Sequence, residues 1–186
     1  FPLLLSLTLT LSLLTFFTEF LHPLVNAWAG SGFMARHAHK QTQPAIGQAL
    51  GIAGIVFQSG LLAGFALLLI QRWRLPFGSL ALLCGLNMAL MTVFRDEYRL
   101  LPVGILTGLA ADGMVGRLRP GRDRPGALRI TALAIPLICY GLYFAILAAS
   151  EGIGWSVHLW LGSWLLAGVA GLLVSVLVVP PSIDGA

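Results

Sequence analysis

Four histidines and a handful of acids are the residues best equipped for chemistry in this chain. The histidines are His22, His37, His39 and His158. Glu19 precedes His22 by three residues, which puts a carboxylate and an imidazole one helical turn apart on the same face. Helical bundles that hold metals with carboxylates and histidines use that spacing. His37 and His39 are two apart, so in an extended segment both rings point the same way and can reach one ion. Asp96 and Glu97 supply two adjacent carboxylates further along the chain. Imidazole with carboxylate suits copper, zinc or iron better than calcium. A haem is the other cofactor such histidines could hold. We expect Glu19, His22, His37, His39, Asp96, Glu97 and His158 to converge on one metal or haem site. Each also has a plainer reading. Arg36–Lys40 can be a solvated basic loop, Arg95–Arg99 a self-paired ion turn, and His158 an interfacial ring bonded to a carbonyl.

The elements that would position these groups are hydrophobic helices. Of 186 residues, 58% are hydrophobic and 10% charged, and mean hydropathy is +0.90. An ordinary soluble domain has about 25% charged residues. This composition excludes a soluble globular enzyme, a disordered chain and a disulfide-stapled secreted module. A membrane helix needs about 20 apolar residues. Six runs qualify, at about 1–21, 45–70, 76–94, 101–117, 128–149 and 156–179. The runs are continuous, unlike the alternating segments of a β-barrel. The fold expected is all-α: a polytopic integral membrane protein, one domain over 1–186, a bundle of six transmembrane helices. The chain opens on Phe1 rather than Met, which leaves room for a further helix upstream. Ala27-Trp28-Ala29 resembles a signal cleavage site, but the run before it is long enough to read as a true span.

Basic residues set the orientation. Arg72, Arg74, Arg117, Arg119, Arg122, Arg124 and Arg129, seven of the eleven, fall in or directly beside the loops at about 71–75 and 117–128. Arg36, Lys40, Arg95 and Arg99 fall on the other side. The first pair of loops is therefore expected in the cytoplasm, with both termini. The loops at about 22–44, 95–100 and 150–155 are expected outside, in a bacterial inner or plasma membrane. Every histidine then lies on or near the external face. The net charge of +4 reflects this topology, with contact to anionic lipid at 117–129. No nucleic-acid motif accompanies it. Trp28, Tyr98 and Trp155 would anchor the external boundary and Trp73 the internal one, while Trp160 and Trp164 go deeper and pack.

Polar residues inside the spans carry the remaining information. Thr8, Ser12, Thr15, Glu19 and His22 step by 4, 3, 4 and 3 along one face of the first run, which should face protein. Gln58 and Asn87 lie at comparable depth and suggest an interhelical amide bond. Asp112 sits in the inner part of the fourth run, as an ion pair with an internal arginine or as a proton relay. Cys84 and Cys139 lie at similar depth and read as small packing residues. Gly47/Gly51, Gly104/Gly108 and Ala167/Gly171 are four apart, a spacing that lets helices approach closely. Pro136 falls inside the fifth run and should free a carbonyl one turn earlier.

Three functions fit. The first is a membrane metalloprotein with an outward-facing site, serving redox chemistry or metal handling. The second is a non-catalytic subunit of a larger membrane complex, with other membrane subunits as partners. The third is a small transporter with the first-run stripe as its polar path. The motifs leave open whether the chain is an enzyme.

Overall fold

The computed structural model describes residue 10 and residues 45–72, 75–95, 98–120, 124–150 and 157–179. Five helices occupy the latter ranges: α1 (Ala45–Arg72), α2 (Ser79–Arg95), α3 (Leu100–Leu118), α4 (Pro125–Ser150) and α5 (Val157–Val178). Among the described residues there is no strand. These helices match the second to sixth hydrophobic runs to within a few residues. The first run lies outside the described residues apart from Thr10, which is helical. The count of six is thus not reached by the described helices. Four of the five are long and apolar enough to cross a membrane: Ile52–Arg72 of α1, and all of α3, α4 and α5. The remaining helix, α2, has 17 residues, with its apolar stretch at Ser79–Ala89.

Prolines and glycines punctuate the chain where backbone chemistry tolerates them. Pro44 immediately precedes α1, Pro125 opens α4 and Pro102 lies in the first turn of α3, where a missing N–H is harmless. Helix α3 ends on Arg119, whose φ of 45° is left-handed and whose N–H bonds Val115 O at 2.9 Å. Glycine is the usual residue at such an end. A side chain in that conformation costs about 1–2 kcal/mol.

The packing order differs from the chain order. Helix α2 packs on α3, and α3 on α4. Helix α4 also packs on α5 and on α1, and α5 packs on α1. Helix α4 is therefore the centre of the bundle. Small residues set the closest approaches. A Cβ on Gly104 would stand 2.6 Å from Cys84 O, and one on Gly108 would meet Ala81 Cα. A Cβ on Gly171 would run into Ala132 O. Ala132 O is the carbonyl that Pro136, four residues on and without an N–H, leaves free. Gly171 thus fits against the one turn of α4 whose ladder is interrupted, and α4 continues through Pro136 to Ser150. Gly60 and Gly64 of α1 receive Val174 of α5.

Large apolar side chains are exposed on the outer faces, among them Leu165 and Leu173 of α5 and Leu106 of α3. In each of the four long helices between 28% and 39% of the apolar window is buried inside the bundle. The rest is hydrocarbon surface, which in water would be an unsustainable patch and in lipid is ordinary. The chain is a helical membrane protein.

Candidate functional site

Asp112 is the one acid among the described residues, and it is buried. Its placement follows from the stripe Gly104, Gly108 and Asp112, four residues apart on the α3 face turned to α2. The two glycines let the α2 backbone come close. Asp112 then reaches the start of α2. Its Oδ2 accepts from Gly78 N–H at 3.0 Å and from Ala81 N–H at 3.0 Å. Its Oδ1 accepts from Leu80 N–H at 3.2 Å. The remaining early amide, Ser79 N–H, donates to Pro76 O at 3.2 Å. The N-terminal amides of α2 are therefore all paired. The local sequence could not have done this. The residue at the cap position is Gly78, which has no side chain, and its φ of +96° favours glycine.

Burial explains why a carboxylate is needed. Asp112 lies six residues before the end of α3, so α2 begins about 9 Å short of that end at 1.5 Å per residue. Leu80 N–H is buried there, and a buried amide must be satisfied by protein. A carboxylate at a helix N-terminus also meets the positive end of the helix dipole. The contacts of Asp112 are thus those of a remote helix cap. The stripe of two glycines and an aspartate was present in the sequence, but its partner amides belong to another helix, which spacing alone does not reveal.

Other polar groups inside the bundle tie helices together. Tyr140 Oη of α4 donates to Gln58 Oε1 of α1 at 2.9 Å, a bond between helices at a residue for which an interhelical amide bond with Asn87 is expected. Trp164 Nε1 of α5 donates to Leu137 O of α4 at 2.7 Å, and its ring lies over Gly141. Trp160 stacks on Phe144 with ring centroids 4.9 Å apart. Both deeper tryptophans pack between α4 and α5. Ser59, Thr92, Thr131 and Ser163 return their hydroxyl protons to the carbonyl four residues earlier. Thr107 of α3 is buried, and the side chain within its hydrogen-bonding reach is the Cys139 thiol of α4. Cys84 and Cys139 are both buried free thiols in the apolar core.

Of the seven residues expected to hold a metal, His158 alone is described. It is exposed, in the first turn of α5. Glu19, His22, His37, His39, Asp96 and Glu97 lie outside the described residues, as do Thr8, Ser12 and Thr15 of the first-run stripe. Among the described residues no three His, Cys, Asp or Glu side chains are grouped as metal ligands. Helices α2 and α3 run antiparallel, since Gly104 meets Cys84 and Met88 while Gly108 meets Leu80 and Ala81, and so do α4 and α5, since Gly141 meets Trp164 while Gly171 meets Ala132. One end of the bundle therefore carries Arg72, the α2 start and the α3 end. The opposite end carries the α2 end, the α3 start and His158. No protein-family model, curated protein or solved structure matches the chain.

Proposed function

We propose that this chain is a six-span membrane protein whose external face binds a transition metal, copper, iron or zinc, or a haem, for metal handling or redox chemistry. The observation that carries this reading is the one-sided distribution of every histidine. Two structural points accord with it. His158 is exposed at the bundle end where α2 finishes, and Asp96 and Glu97 follow directly on α2. Asp112, at the other end, has its carboxylate oxygens engaged by backbone amides. The ligands proposed are His22 with at least one of His37, His39 and His158. Glu19, Asp96 or Glu97 would accept the second ring N–H of a ligating histidine, as metal-bound imidazoles require.

The test is elemental analysis and an optical spectrum of the purified chain, with His22→Ala beside it. Stoichiometric metal or a haem band is expected, falling several-fold in the variant while helix content is retained. Unchanged metal in His22→Ala overturns the site. Absence of metal together with stable co-purifying membrane subunits would replace it by the accessory-subunit reading.

A further inference from the structure

We propose that the arginine-rich end of the bundle is a binding surface for anionic phospholipid headgroups, independent of the metal site at the other end. Arg72, Arg117, Arg119, Arg124 and Arg129 are all exposed, and all sit at helix ends where a span meets the headgroup layer. The turn between α1 and α2 adds Phe77, 74% exposed, at the same end. An aromatic ring beside cationic groups is suited to the boundary between hydrocarbon and headgroups. Asp112, the one acid among the described residues, is buried and bonded to backbone, so it does not neutralise this surface. By sequence Asp123 and Asp184 fall on this side too, against seven arginines.

The basic residues at this end are all arginine, as are three of the four at the other end. A planar guanidinium binds phosphate oxygens in pairs, which an ammonium cannot. Arg119 strengthens the argument. It occupies a left-handed helix end, φ 45°, where glycine fits without strain. The chain has 22 glycines, one of them at 121, and still places a guanidinium at this position. A side chain in a conformation that disfavours it points to a role outside helix termination.

The experiment is reconstitution into bilayers of phosphatidylcholine and phosphatidylglycerol, then quantification of the lipids retained by the extracted protein by native mass spectrometry. Phosphatidylglycerol should be enriched over phosphatidylcholine. Replacing Arg117, Arg119, Arg124 and Arg129 together by Gln should lower that enrichment by more than about tenfold. Arg119→Gly separates binding from folding. It should lower enrichment by about fivefold while thermal unfolding stays the same or rises. Lysine at the four positions should retain part of the enrichment. The proposal is overturned by equal retention of both lipids, or by a quadruple variant that behaves as the parent. Complete displacement of the lipid by inorganic phosphate, or capture of an acidic protein with no lipid preference, also overturns it.

Discussion

Asp112 joins two helices through backbone amides, and its replacement tests how much that joint contributes. Removing the carboxylate leaves Gly78, Leu80 and Ala81 N–H without acceptors in a site water reaches poorly. An unsatisfied buried group costs about 1–3 kcal/mol. Asp112→Ala should therefore destabilise the protein by about 3 kcal/mol or more. Asp112→Asn keeps one oxygen acceptor and the shape, and should cost about 1 kcal/mol, near the value of an ordinary cap. Unfolding in detergent micelles measures both. If Asp112→Ala unfolds like the parent, the three bonds do not hold the α2 start and another group must. Proton transport, the sharper role the sequence allowed for this residue, makes a different demand. It would need the carboxylate to exchange protons with water from both sides, and its three amide partners hold it in one place.

At the scale of helices, glycine placement governs the α2–α3 and α4–α5 seams. A Cβ on Gly108 would stand 2.5 Å from Leu80 O and 2.6 Å from Ala81 N, both backbone atoms that cannot rotate away. Gly108→Ala must push α2 off α3 and stretch the bonds to Asp112. Overpacking of this kind costs about 1–3 kcal/mol. Gly113, five residues on, has open space within 4 Å of the point where a methyl would stand, so Gly113→Ala should be neutral or stabilising by up to about 1 kcal/mol. Because Gly108→Ala and Asp112→Ala disturb the same contact, the double variant should lose less than the two losses added. Full additivity would show that close approach and capping are separate. Much of this seam was legible in the sequence. The hydrophobic runs located α1 to α5, and the spacing of Gly104 and Gly108 announced a close approach. The neighbours were not legible. Periodicity reports which face of a helix is small or polar, but not which helix meets it. For that reason the spacing did not announce Tyr140 of α4 as a partner of Gln58.

For the whole molecule, the arrangement of charge makes orientation the decisive question. The arginine end and the end that carries His158 are opposite ends of one bundle, so fixing either fixes both. The positive-inside rule predicts the arginines in the cytoplasm, seven basic residues against four. On that orientation His158 would face the outside, where the proposed metal would arrive. The candidate metal residues were named from types and spacing alone, because a ligand set is assembled from loops whose mutual approach no local pattern encodes. Orientation can be read without knowing the ligand. Phe77 and Tyr98 are 74% and 77% exposed and lie in turns at opposite ends. Cys84 and Cys139 are buried and should resist labelling, so the natural chain serves as background. In intact cells a membrane-impermeant maleimide should modify Tyr98→Cys at once. It should reach Phe77→Cys only after the membrane is opened. The reverse pattern would invert the molecule, put His158 in the cytoplasm, and remove the external metal site as a reading. Labelling of both positions in intact cells would mean that Phe77 and Tyr98 share a side, and would break the antiparallel succession of α2 on which the assignment of the two ends depends.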